Sequence, residues 1–334
     1  MGRNSKTSTP WRLSELRSWL RFGCLCLLAS FAFGANWLDE VKRDAKGNIT
    51  EVNLRHSWVS DSDLLALAQI PTITKLDLAE TRITDLGFQH LKKLPAVTDV
   101  NLYYAELLGD EALAAMKTWK NLRVLNARGT KITDAGLANL AGLPIESIDV
   151  GYSLFTDGGF EHLAALPKLT SIAVGGNKVT DVGLNTLRTM PNLISVDLSG
   201  AQRTDSGLWA ATVTDRGLES LARLPKLERL NLHGAKITDA GAGQLRTLQE
   251  LRELNLGATQ LSAKGLGFLA ELGKLEKLSL PGLTKLDDEA IPVLAAMKSL
   301  RWLDITDTKI TPEAAERLRT GHPGLVVLAT KISQ

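Results

Sequence analysis

The run Leu122-Arg123-Val124-Leu125-Asn126-Ala127-Arg128-Gly129-Thr130-Lys131-Ile132-Thr133-Asp134-Ala135-Gly136-Leu137-Ala138-Asn139-Leu140-Ala141-Gly142-Leu143-Pro144 decides the fold. Its first part alternates apolar and polar residues, as a strand with one buried face does. Its second part sets Leu137, Leu140 and Leu143 at helical spacing. Units of this pattern start at Ile49, Ile73, Val97, Leu122, Ile145, Leu169, Leu193, Leu227, Leu251, Leu275 and Leu300, a period of about 24 residues. A last strand, Leu325-Val326-Val327-Leu328, opens a twelfth copy without a helix. One such unit cannot bury its own apolar face, so neighbours must stack into a solenoid.

Strands about 4.8 Å apart and helices about 8–10 Å apart bend such a stack into an arc. The expected fold class is α/β: a right-handed, horseshoe-like solenoid with a parallel sheet on the concave face and short helices on the convex face. The recurring Thr-Asp-x-Gly-Leu stretch, as at Thr133-Asp134 and Thr238-Asp239, reads as helix capping. The Thr hydroxyl accepts an orphan backbone N–H and the Asp complements the helix dipole. Ser60, Ser262, Asp287 and Thr311 fill the cap slot elsewhere, and Gly109 is a weak cap. Small residues three places on, Gly87, Gly136, Gly183, Gly241, Gly265 and Ala290, are expected to let adjacent helices approach closely.

This pattern resembles the leucine-rich-repeat family, in its bacterial type with I-T-D-x-G-L, and is similar to the repeats of F-box receptors. The resemblance covers Ile49 to Leu328 and implies a non-catalytic module that binds proteins on its concave face. A ubiquitin-ligase role would require an F-box, and no F-box-like helical domain precedes the repeats in this sequence.

Residues 1–35 do not fit the repeat. Arg3, Lys6, Arg12, Arg17 and Arg21 precede the apolar run 22–33, the shape of a secretory signal, with Ala32-Phe33-Gly34 as its cleavage site; uncleaved, the segment would be an anchor. The protein is therefore expected to be secreted or periplasmic, in the cell envelope. Residues 36–48 read as an N-terminal cap, with Val41–Asp44 turning at Gly47-Asn48 to pair with the strand from Ile49. The eleven units occupy 49–324, and 325–334 form a terminal strand. The seventh copy is longer, and 202–211 should loop out of it, carrying Trp209.

Both cysteines, Cys24 and Cys26, lie in the signal, so the solenoid has no disulfide and no thiolate chemistry. The formal charge of +2 is also misleading. Residues 1–35 hold five basic residues and one acidic, which leaves 34 basic and 36 acidic, a net of −2, for the rest. A nearly neutral domain lacks the basic footprint of a nucleic-acid binder.

On the strands, positions 124, 126 and 128 face the concave solvent side. The middle position holds amides and carboxylates in most copies (Asn53, Asp77, Asn101, Asn126, Asp149), a ladder that suits hydrogen bonding between neighbours better than a ligand. The next positions carry all three tyrosines. A partner-binding patch is expected at Arg55, His56, Tyr103, Tyr104, Arg128 and Tyr152, since Tyr and Arg combine apolar area with a polar handle. From the sixth copy onward the same slots are mostly Gly, Ala or Ser, a smooth floor. A weaker candidate comprises Arg229, His233, Lys277 and Trp302, with Trp209 on the insertion. No nucleophile elbow, metal-protease helix or phosphate loop occurs, and no cofactor is expected. The partner is a protein of unknown identity. The alternatives are a cell-envelope structural role or a glycan-binding module with Tyr103, Tyr104 and Tyr152 as stacking platforms.

Overall fold

The computed structural model describes residues 41–329. The signal segment 1–35, Trp37 of the cap and residues 330–334 lie outside the described residues.

Each copy delivers one short strand, and thirteen strands form a single open sheet in chain order from Val41–Arg43 to Val326–Ala329. The first pair is antiparallel, with Val41 opposite Val52 across the turn at Gly47. Every later pair is parallel and in one register: Leu76 lies opposite Val100, Val100 opposite Leu125, and Leu125 opposite Ile148. The seventh copy does not interrupt the sheet, because Ser195–Asp197 pairs directly with Arg229–Asn231. The chain between them leaves as a hairpin, Ala201–Thr204 against Gly207–Ala210.

The helices are short. Asp134–Leu137 makes one α turn and continues as a 3-10 turn over Ala138–Leu140. In this copy Leu122, Leu125, Ala127, Ile132, Leu137, Leu140 and Leu143 are all buried. Neighbouring copies add the same slots, so the core is one continuous cluster from Val52 to Val327. Full burial of each such leucine is worth roughly 1.5–3 kcal/mol, which explains why no copy could stand alone.

Just beyond each strand the backbone turns through positive φ in every one of the eleven copies, at His56, Glu80, Tyr104, Gly129, Tyr152, Gly176, Gly200, Gly234, Ala258, Gly282 and Asp307. Glycine adopts this conformation without a Cβ penalty. The glycines taken for a smooth floor in this slot answer to that backbone demand. The amide-carboxylate ladder is also structural. Asn53, Asp77, Asn101 and Asp149 each accept the N–H two residues on and so fix the turn.

The Thr-Asp-x-Gly motif does more than cap. Asp110 accepts the backbone N–H of Thr133 at 2.8 Å and its hydroxyl at 2.7 Å, one copy downstream. The same clasp joins Asp61 to Thr84, Asp134 to Thr156, Asp157 to Thr180, Asp181 to Thr214, Asp215 to Thr238, Asp239 to Ser262 and Asp288 to Thr311. The small residue has a matching role at the point where it faces the first turn of the preceding helix. A Cβ on Gly136 would stand 2.2 Å from Asp110 Oδ1, and one on Gly241 would stand 2.1 Å from Asp215 Oδ1. Glycine makes room for the upstream carboxylate. Where the cap is Gly109, Asp85 of the preceding copy accepts from the N–H groups of Gly109 and Ala112. Ser60 departs from expectation: it donates its N–H and hydroxyl to Asp63, and the first helix begins only at Leu64.

Thr133 still caps its helix, accepting from Ala135 N at 3.2 Å. Thr133→Val loses this bond and the one to Asp110, and chemical denaturation should show a loss of about 1–2 kcal/mol. Asp288 offers a pH test. The backbone N–H and hydroxyl of Thr311 hold its carboxyl below the ordinary range. A depressed carboxylate stabilises the fold above its unfolded pKa, and the contribution disappears as pH falls through the folded value. The melting-temperature gap between wild type and Asp288→Asn should therefore narrow on acidification; a constant gap would contradict the clasp.

Candidate functional site

The six residues expected to form the patch lie in the first, third, fourth and fifth copies, and side-chain contacts join five of them into two groups. The Arg55 guanidinium lies 5.8 Å from the Tyr103 ring centre. Tyr103 meets Tyr104 edge-on, with centroids 4.7 Å apart at 64°. Arg128 lies 4.9 Å from the Tyr152 ring centre. The two rim tyrosines rest on glycine backbone: a Cβ on Gly129 would touch the Tyr104 ring at 2.9 Å, and one on Gly176 would touch Tyr152 at 2.9 Å. Both tyrosines stand at positive-φ turn positions, so the turn geometry aims each ring across the next copy.

Carboxylates anchor the basic side chains, and the expected patch did not include them. Arg128 Nε donates to Asp149 at 3.0 Å, Arg55 lies 3.6 Å from Asp77, and His56 Nδ1 lies 2.9 Å from Glu80. Burial works against the charge on Arg128, yet Asp149 and Asp197 raise its pKa overall. Burial, with the Tyr103 and Tyr152 phenols, pushes the Tyr104 hydroxyl up. The strand-end carboxylates were visible as a ladder in the sequence, but nothing local said that they would reach an arginine in another copy.

Two further features went unnoticed in the sequence. Trp58 is 90% exposed, at the rim slot where Lys131 stands in the clean copy. Being one place before the buried Val59, it had to point outward, so alternation alone could have found it. Glu106 is an extra residue in the third copy. With Glu80, Arg82, Tyr103, Tyr104 and Leu107 it lines a depression of about 660 Å³.

The weaker set is only partly assembled. Arg229, Lys277 and Trp302 line one groove together with Asp197 and Glu253, and Lys277 Nζ lies 5.1 Å from the Trp302 ring centre. His233 lies outside that groove, against Gly257. Trp209 sits on the hairpin, half-buried and opposite Gln202, while Leu208 on the other hairpin face is 70% exposed. Gln202 donates to the carbonyl of Ser153, beside Tyr152, so the hairpin is tied down next to the patch.

Comparison with known proteins agrees with this architecture. The family described as Leucine Rich repeat matches residues 165–187 and 223–245. The crystal structure of an internalin, inlF, from Listeria monocytogenes superposes with a TM-score of 0.62 and 24% identity, over 84% of this chain and 73% of that one. The PEPR1-AtPEP1 structure aligns at a TM-score of 0.49 and 14% identity, over 92% of this chain and 48% of that one, and carries no argument. No curated protein matches the sequence. With family matches in two separate stretches and an open parallel sheet extending the same unit on either side of them, the chain has the fold of a leucine-rich-repeat solenoid.

Proposed function

We propose that the solenoid is a non-catalytic recognition module that binds a protein through the N-terminal half of its concave face. The observation that carries this reading is the linked strip Arg55–Tyr103–Tyr104 and Arg128–Tyr152. It offers partly exposed aromatic and guanidinium groups whose positions are fixed before any partner arrives, which lowers the ordering cost of binding. The internalin likeness adds a shared fold and nothing about a partner. The glycan reading is less well supported, because guanidinium groups already lie over the Tyr103 and Tyr152 rings, where a sugar ring would have to stack. The basic-then-apolar sequence of residues 3–33 supports a secreted or envelope location. Among the described residues no helix is long and apolar enough to cross a membrane.

The test is crosslinking in intact cells, followed by affinity measurement on the recovered protein. Tyr103→Ala combined with Arg128→Ala should weaken that affinity by at least about 2 kcal/mol while the melting transition stays cooperative. Unchanged affinity in a folded double variant would remove this strip from consideration.

A further inference from the structure

The sheet ends in two different ways. At the N-terminal end the edge strand Val41–Arg43 is short, carries Lys42 and Arg43, and slips register between them. Charges and irregularities of this kind keep an edge from pairing with another chain. At the other end the last described strand, Val326–Ala329, has neither. All of its residues are apolar. Val326 and Leu328 are 55% and 42% exposed on one face, while Val327 on the other face is buried.

The backbone of this strand has an open side as well. The Val326 N–H bonds to the Arg301 carbonyl, which turns that residue toward the strand Trp302–Ile305. Backbone groups alternate sides along a parallel strand. The Val327 N–H and carbonyl therefore point outward, where no further strand lies among the described residues. In the interior of the sheet the next copy fills this direction. Here a side chain fills it. Arg319, on the helix Pro312–Gly321, donates from Nη2 to the Val327 carbonyl at 3.0 Å. Its Nη1 is held by Glu316 at 3.0 Å, about one turn earlier on the same helix. The guanidinium takes the place of the N–H that a following strand would supply. Arg188 occupies the same slot in the sixth copy, directly after a buried leucine, and it reaches forward to Ser220 of the next copy. At the end of the stack the forward reach finds the edge carbonyl.

We propose that Arg319 closes this edge, and that the partner it excludes is a second copy of this chain. The strand Val326–Ala329 is complementary to itself. Placed antiparallel about Val327, two copies would exchange both backbone bonds at that residue. Val326 of each would then lie opposite Leu328 of the other on the exposed face. Such a contact has two-fold symmetry and stops at the dimer. It needs the Val327 carbonyl, which the guanidinium occupies, so one side chain decides whether the sheet ends or continues into another molecule.

Sedimentation velocity on the full chain at rising concentration tests this. Wild type should stay monomeric. Arg319→Met keeps the length of the stem and removes the donors; it should move to twice the monomer mass while its melt stays cooperative. Glu316→Gln only loosens the guanidinium and should shift the same way to a smaller extent. Adding Val326→Lys to either variant should restore the monomer, because each lysine would then face an apolar Leu328 across the pair. Arg317→Met is the control, on the same helix but with its charge acting on Asp288, and should remain monomeric. A folded Arg319→Met that is monomeric at every concentration overturns the proposal. If that variant does not fold, a monomeric Glu316→Gln does the same. So does a dimer that survives Val326→Lys, or a wild type that associates as strongly as the variants.

Discussion

Gly136→Ala should cost about 2–3 kcal/mol of unfolding free energy, although alanine is the better helix former by about 1 kcal/mol. The new methyl carbon would stand 2.2 Å from Asp110 Oδ1 and 2.7 Å from its Cγ. That carboxylate is pinned by two hydrogen bonds from Thr133, so it cannot move aside without breaking them. Hydrogen bonds to a charged group are worth about 1.5–3 kcal/mol, and losing them accounts for the estimate. Asp110→Ala alone should cost a similar amount for the same reason. The informative measurement is the double variant. Once the carboxylate is gone, the two closest contacts of the methyl group at 136 disappear and the Asp110 Cα, at 3.1 Å, remains, and the helix gains from alanine. The combined loss should therefore fall short of the sum by more than 1 kcal/mol, as expected for residues sharing one interaction. Additive losses would mean that the glycine serves helix approach and not the carboxylate.

The larger expected effect belongs to Trp119. It is fully buried, packs against Phe88 with centroids 5.7 Å apart, and donates its indole N–H to the Leu91 carbonyl at 3.2 Å. Comparable copies place Leu94, Leu143 or Leu166 in this slot, all buried. Trp119→Ala should cost about 3–5 kcal/mol, from lost apolar burial, a cavity and the loss of the indole hydrogen bond, the Leu91 carbonyl keeping only its bond from the Leu94 N–H. Trp119→Leu should recover a large part, because the slot is built for a leucine elsewhere, yet the indole hydrogen bond stays lost. Urea denaturation followed by far-UV circular dichroism separates the two. Equal losses for Ala and Leu would show that the hydrogen bond, not the volume, matters most.

How much of this could be read from the residues differs by feature. The solenoid was legible because burial acts at fixed spacing within one unit: Leu125, Leu137, Leu140 and Leu143 announce their faces unaided. The clasp was not, since its two ends lie 22 or 23 residues apart in most copies and local propensity explains Thr and Asp equally well as cap and dipole partner. A signal did exist between copies. Where the ninth copy has Ala263 in place of the aspartate, the tenth has Asp287 in the Thr slot and Ala290 in the Gly slot, and Asp287 caps its own helix by accepting from Glu289 N. The glycine-rich outward slots misled for another reason. Gly129, Gly176, Gly200, Gly234 and Gly282 recur in one slot because φ is positive there, a backbone requirement that looks like a surface property when only exposure is considered. The slots of the tyrosines could be read from the repeat, but their arginine and carboxylate neighbours come from other copies, which no single unit reveals.

The clasp reaches back by one copy and no further, and this limits what a change in chain length can damage. Thr214 finds Asp181 although ten extra residues intervene. By the same logic, excising or duplicating one whole unit creates a single new seam, and between copies that carry the full motif an aspartate on one side meets a threonine and a glycine on the other. Among those copies such a protein can grow or shrink by complete modules without compensating substitutions, whereas a deletion of half a module leaves a carboxylate facing the wrong slot.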